Sequence, residues 1–318
     1  MNSKIIQKIL ILGTGGTIAG LAPDSSNPYQ YEAGQLGLTN LLSASGLSLD
    51  VLELQDIAQI DSKDMGPAVW KKLLSALDQA QQRADIQAVV ITHGTDTLEE
   101  TAFLLYAMGP WSKPVVLTCA MKPANAPDAD GPGNLRDALL LARTPGIPAV
   151  SVVCAQQVHD PQTLQKIRTD QDDAFSSGPA GVLGRMVNGV WQSARSVAAH
   201  TSLVSSLGQL LQSDWPRVEW VSNHAGADGQ LVRALLSQGP SRLQGLVVAA
   251  TGSGTVSLAL EAALKEASQQ GVVVWVSSRC AWGQAHFHEP KDWGSATLLS
   301  PAKALVALAL QLLAAEKA

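Results

Sequence analysis

Short apolar runs alternate with amphipathic helical stretches along most of this chain, and no other feature restricts its fold as much. Residues 9–12, 51–54, 88–91, 114–118 and 150–153 each read as a buried strand bounded by polar, Gly or Pro residues. Between them, residues 68–81 set Val69, Leu73, Leu74 and Leu77 along one side of a helix. Residues 98–108 do the same with Leu98, Ala102, Leu105 and Tyr106, and Thr97 followed by Glu100 matches a capping box at that helix's start. Strands alternating with helices predict an α/β fold, a mostly parallel sheet flanked by helices. Ligands in such folds bind beyond the carboxyl ends of the strands, so the loops that follow the strands are where chemistry is expected.

The pattern lapses into small and polar residues from about Asn188 to Ser213 and then resumes. Strand-like segments at 218–221, 245–250 and 272–276 enclose helical ones at 231–236 and 256–267. A last helix opens at Ser300-Pro301, where serine suits the cap and proline the first helical position. This predicts a larger N-terminal α/β domain over 1–190, a linker over 191–214 and a smaller C-terminal α/β domain over 215–318.

Composition narrows the function. The chain has 318 residues, 46% apolar and 15% charged, enough for two packed cores. Its formal net charge is −5 and no basic run supplies phosphate contacts, so no nucleic-acid partner is expected. No stretch reaches the roughly 20 apolar residues of a membrane span. The run at 9–12, between Lys8 and a glycine-rich turn, is too short for a signal-peptide core and reads as the first strand. Cys119, Cys154 and Cys280 form no CxxC spacing and are odd in number, which favours free thiols and a cytoplasmic location.

Two strand ends carry unusual residues. The first runs into Gly13-Thr14-Gly15-Gly16-Thr17-Ile18-Ala19-Gly20, with Thr17 at the carboxyl end. A dinucleotide turn fails here, because Ala22-Pro23-Asp24-Ser25-Ser26-Asn27-Pro28 follows where a helix should open. That loop returns Tyr29 and Tyr31, of which Tyr29 reads as a surface aromatic. The other strand end is Thr92-His93-Gly94-Thr95-Asp96-Thr97, a hydroxyl and a carboxylate side by side where a strand meets a helix. An ordinary N-cap accounts for Thr97 alone and leaves Thr95 and Asp96 without a structural role. Near the C-terminal end, His286-Phe287-His288-Glu289 follows six residues after Cys280 with metal-ligand residue types. No second cluster completes a familiar spacing, so the stretch is read as a loop, with no metal and no cofactor expected.

Together these motifs closely resemble the paired signature of bacterial-type L-asparaginases and glutaminase-asparaginases. The resemblance continues through Ile60-Asp61-Ser62-Lys63-Asp64-Met65, Ala120-Met121-Lys122-Pro123, Asp130-Gly131-Pro132 with Asn134-Leu135, and Ser277-Ser278-Arg279, in order over most of the chain. It implies hydrolysis of L-asparagine to L-aspartate and ammonia, with glutamine a weaker substrate. Thr17 matches the family's nucleophile, Tyr31 the tyrosine that assists it, and Thr95, Asp96 and Lys166 a second catalytic set. Asp96 is expected to hold the substrate's α-ammonium, aided by Asp61, and Ser62 its α-carboxylate. Gly16 lies in the turn whose amides stabilise the oxyanion, and the Ala120 carbonyl accepts from the substrate amide. A hydroxyl is a weak nucleophile at its own pKa, so Thr17 needs a base or a polarising network, and Lys166 serves only with its amine neutral.

The chain departs from the family's pattern at three points. Lys63 stands where many secreted members carry a glutamine, and it would repel an ammonium unless it turns outward. The asparagine that some relatives contribute from a neighbouring subunit is matched only by Ser253 or Thr255. The acidic residue expected after Ser-Ser-Arg has its nearest counterpart in Glu289. The family further implies a homotetramer built from tight dimers, with sites completed by a neighbouring subunit. Two alternatives stay open at this point: a catalytically silent binding protein for an acidic amino acid, and the amidase subunit of a tRNA-dependent amidotransferase. The second usually carries extra N-terminal sequence, whereas the first motif here begins at Gly13.

Overall fold

The computed structural model describes residues 7–25, 30–45, 51–195, 207–237, 243–287 and 289–315. They divide into two compact units, Met1–Ser202 and Leu203–Ala318. The N-terminal unit opens with β1 (Lys8–Gly15), α1 (Leu38–Ser45), β2 (Leu52–Ile60), α2 (Pro67–Gln82), β3 (Ile86–Thr92), α3 (Leu98–Met108), β4 (Val115–Thr118), α4 (Gly131–Ala142) and β5 (Val150–Cys154). These five strands pair in parallel in the order β2-β1-β3-β4-β5.

The sheet is parallel because each crossover can bury an apolar helix face. Ile9, Ile11, Val90 and Val116 pack with Leu41 and Leu42 of α1 and Leu135, Ala138 and Leu139 of α4 in one buried cluster. On α2 the predicted stripe is borne out, with Leu73, Leu74 and Leu77 buried, although Val69 is not among the buried residues. The helix α3 is buried on most of its surface, Phe103 and Leu104 included, so its apolar stripe is broader than the spacing alone indicates. Thr97 stands at the N-cap of α3 as expected, but its side chain makes no capping bond. The hydroxyl donates instead to the Ser62 carbonyl at 2.7 Å, so the capping box is not formed.

Beyond β5 the sheet turns antiparallel, through β6 (Gln157–His159), β9 (Gly184–Val187) and β10 (Val190–Ser193). Between β6 and β9 lies a separate ribbon of β7 (Gln165–Lys166) and β8 (Phe175–Ser176). None of these short strands carries a readable period in the sequence. The segment expected as linker is also more structured than predicted. Its first residues complete β10, where Trp191 pairs with Met186, and its latter part forms the helix α5 (Leu207–Gln212). The remainder, 196–206, lies outside the described residues.

The C-terminal unit continues with β11 (Val218–Ser222), α6 (Gln230–Leu236), β12 (Gly245–Ala250), α7 (Leu258–Gln269), β13 (Val273–Ser278), β14 (Ser295–Ala296) and α8 (Pro301–Ala315). Its four strands form a parallel sheet in chain order. One face packs on α6 and α7 through Val232, Leu260 and Leu264, and the other on α8 through Leu308. Both units therefore follow the α/β reading. At the start of α8, Ser300 gives its carbonyl to Ala304 as a cap residue does, while its hydroxyl is buried with no hydrogen-bond partner among the described residues. No helix among the described residues is long and apolar enough to cross a membrane.

Candidate active site

In the N-terminal unit the strand order reverses between β1 and β3: the chain leaves β1 for β2 on one side, then crosses to β3 on the other. Loops that part in this way leave a crevice beyond the carboxyl ends of the two strands. Thr17 follows β1 and Thr95 follows β3, so both threonine motifs border that crevice. The Thr14 hydroxyl ties the two strand ends together, donating to the Thr92 carbonyl at 3.0 Å.

Glycines let the loops close on one another. Gly16 has φ 78°, in the left-handed region, and a Cβ there would lie 2.3 Å from the Gly94 backbone. A Cβ on Gly94 would in turn lie 2.5 Å from the Ser62 hydroxyl. The turns after β1 and β3 thus meet backbone to backbone, and the Ser62 side chain after β2 packs on Gly94. Glycine at these two positions is a packing requirement.

Two hydroxyl systems result. The Thr17 hydroxyl is 2.7 Å from the Tyr31 hydroxyl, and Thr17 itself is 5% exposed. The Lys166 ammonium, carried on β7, donates to Thr95 Oγ1 at 2.8 Å and to Asp96 Oδ1 at 2.6 Å. The structure therefore brings together Thr17 with Tyr31, and Thr95 with Asp96 and Lys166. Asp96 remains about half exposed and turns its backbone N–H to Ser62 Oγ at 3.1 Å. Accepting that bond leaves the Ser62 hydroxyl proton available to another acceptor.

The neighbouring residues resolve several expectations. Lys63 does turn outward: it is 62% exposed and pairs with Asp61 at 2.8 Å and Asp64 at 3.4 Å. Burial works to raise the Asp61 carboxyl, but the side-chain and backbone hydrogen bonds from Lys63 outweigh it and hold it below the usual carboxylate range. The Gly16 N–H, expected to face an oxyanion, donates to the Ile60 carbonyl at 2.8 Å. The Thr17 and Thr95 N–H groups donate to no described residue. Ala120 follows β4 and is fully buried. Ser253 and Thr255 lie in the turn after β12, in the C-terminal unit, where the Thr255 hydroxyl donates to the Thr251 carbonyl at 3.0 Å. Glu289 is exposed on a later loop of that unit. Tyr29 and His288 lie outside the described residues, and no group of three metal-ligating side chains occurs among those described.

Some supporting residues escaped sequence reasoning. His93 is fully buried between Gly94, whose carbonyl lies 2.7 Å from Nδ1, and Thr101, whose hydroxyl lies 2.9 Å from Nε2. A carbonyl only accepts, so the proton sits on Nδ1 and Thr101 donates to Nε2. The Trp70 indole N–H completes the chain, donating to Thr101 at 2.9 Å. Burial drives the His93 pKa down to about 4, against the opposing pull of the Gly94 carbonyl. Its place after a strand that ends in threonine was the available signal. Cys119, just beyond β4, and Cys154, the last residue of β5, are distant in sequence but stand at the ends of neighbouring strands as buried free thiols. Interaction with the Cys154 thiol, then burial, pushes the Cys119 thiol well up.

Comparison with known proteins bears on the family and the fold. The family described as "Asparaginase, N-terminal" matches residues 8–198, and "Glutaminase/Asparaginase C-terminal domain" matches residues 217–317. L-asparaginase 2 of Escherichia coli is 34% identical, over 96% of this chain and 89% of its own. The probable periplasmic L-asparaginase of Haemophilus influenzae is also 34% identical, over 98% and 90%. The crystal structure of a probable cytoplasmic L-asparaginase from Campylobacter jejuni superposes with a TM-score of 0.86 at 33% identity, covering 96% of this chain and 95% of that one. With both family domains matched in order, and the threonine sets inside the first, the chain belongs to the asparaginase family of amidohydrolases.

Proposed function

We propose that this chain hydrolyses L-asparagine to L-aspartate and ammonia, with L-glutamine a weaker substrate, through a threonine nucleophile. The observation that carries the reading is the pairing of Thr17 with Tyr31 and of Thr95 with Lys166 and Asp96, at 2.6 to 2.8 Å, beside one reversal of strand order. The Thr17 oxygen attacks the side-chain carbonyl carbon, with Tyr31 relaying the hydroxyl proton to the leaving nitrogen. Ammonia leaves, and water releases aspartate from the acyl-enzyme. The Thr17 and Thr95 amides face the developing oxyanion, an interaction typically worth about 3 kcal/mol. Asp96, with one oxygen held by Lys166 and its side chain half exposed, holds the α-ammonium. The Ser62 hydroxyl donates to the α-carboxylate. Lys166 donates to both Thr95 and Asp96, so it polarises the Thr95 hydroxyl.

The conjunction of two hydroxyl sets with a lysine favours an enzyme over a silent binding protein, which needs only Asp96 and Ser62. The unit of function is a homotetramer of tight dimers, in which Ser253, Thr255 or Glu289 of a neighbour completes the amino-acid pocket. The unpaired thiols support a cytoplasmic location.

Ammonia release from asparagine and glutamine, measured on the wild type and on Thr17→Ala and Thr95→Ala, tests the reading. Each substitution is expected to lower turnover by a factor on the order of a thousand or more, with circular dichroism unchanged. Near-normal turnover in either variant removes that threonine from the mechanism.

A further inference from the structure

Beyond the carboxyl end of β4, α4 starts against the chain that leaves the strand, and its first turn grips three consecutive peptide groups. Asp130 stands at the N-cap of α4 but does not cap it. Its carboxylate reaches out to accept from the Met121 N–H at 2.9 Å and the Lys122 N–H at 3.0 Å. One turn on, the Asn134 amide donates to the Cys119 carbonyl at 3.0 Å and to Asp130 at 3.1 Å. Its oxygen accepts from the Ala155 N–H at 2.9 Å. Gly131 makes the close approach possible, since a Cβ there would meet Ile18 at 3.0 Å and Ala120 at 3.4 Å.

This grip has a directional consequence. A trans peptide is planar, and its N–H and C=O point to opposite sides. Holding the Met121 N–H therefore fixes the Ala120 carbonyl, which belongs to the same peptide plane, facing away from α4. That oxygen accepts no hydrogen bond from the described residues. The carboxylate suits the task because it only accepts, whereas an amide in its place would set an N–H donor against backbone donors. Burial pushes the Asp130 carboxyl up, and the backbone N–H bonds it accepts pull it back.

We propose that Asp130, braced by Asn134, is a positioning residue that aims the Ala120 carbonyl at the carboxamide N–H of the substrate and so favours amides over esters. The inference rests on the reaction proposed above. The carbonyl can bond only a substrate that brings a donor, and the β-methyl ester of L-aspartate has the same skeleton without one.

The test compares kcat/KM for L-asparagine and for L-aspartate β-methyl ester in the wild type and in Asp130→Asn. Loss of one well-aimed hydrogen bond is expected to lower the amide value about tenfold to a hundredfold, while the ester value changes less than about twofold. Equal losses on both substrates would mean a general disturbance of the site and overturn the proposal. Unchanged amide hydrolysis would overturn it too. If Asp130→Asn does not fold, Asn134→Ala is measured in the same way and must show the same amide-selective loss, or the proposal fails. A wild type that hydrolyses neither compound would instead overturn the reaction itself.

Discussion

His93 has its two ring nitrogens committed, one to a carbonyl and one to a hydroxyl that already serves Trp70. A proton added to Nε2 would face the Thr101 hydroxyl in a fully buried site, so the folded protein resists protonation. The sign follows from linkage. The folded pKa is about 4 and the unfolded value 6.5, so below 6.5 the unfolded chain binds the extra proton. Stability from a neutral His93 is complete above about pH 6.5 and is lost as the pH falls to about 4, amounting to about 3 kcal/mol. Urea unfolding at several pH values is expected to show a steeper acid loss in the wild type than in His93→Gln. Parallel curves would assign the acid sensitivity elsewhere. At this scale the sequence was partly legible. Threonine and aspartate at a strand end announce themselves because no cap explains them. A buried histidine next to them does not, because its partners lie on α2 and α3, far along the chain.

Elements were legible where burial imposes a period. The five parallel strands and α2 and α3 appear where expected, but only four of the strands are buried: β2, read as a buried run over 51–54, lies at the edge of the sheet with no fully buried residue. The helix α4 was missed because it opens with Gly131-Pro132-Gly133, which reads as a loop until Asp130 and Asn134 are seen at work. The ribbon that carries Lys166 is two residues per strand, too short for any period. Nothing local distinguishes that lysine from a solvated one, and only the resemblance singled it out. The turns between elements make a sharper claim. Gly16→Ala would drive a methyl group onto the Gly94 backbone, 2.3 Å away, at a φ of 78°. Backbone cannot swing aside as a side chain can, so a loss on the order of 2–4 kcal/mol is expected, with most activity. Gly66→Ala is the control, since Gly66 has nothing within 4 Å of the added atom and an extended φ of −168°. Thermal melts of both variants, with turnover measured alongside, decide the matter: equal behaviour would show that the contact between the turns is dispensable.

At the scale of the whole molecule, each unit buries its own core, and the threonine sets belong entirely to the first. The second unit offers hydroxyls and a carboxylate on loops after its strands, and among the described residues no threonine pairs with a lysine or tyrosine there as in the first. It also shows apolar surface: Leu231 on α6 and Leu258 on α7, helices that pack together, are 61% and 88% exposed. Closed homo-oligomers with self-complementary faces are the common result. The expected state is a tetramer that dilutes to an active dimer. Light scattering across a dilution series, with activity followed in parallel, should show turnover per chain holding through the tetramer-to-dimer step and collapsing where dimers dissociate. The reason is chemical: in the proposed function Asp96 supplies one carboxylate for a substrate ammonium that has three protons to place, and a neighbour's loop would supply further acceptors. A monomer that keeps full activity would show that one chain completes the pocket alone, and Ser253, Thr255 and Glu289 would then have no part in it.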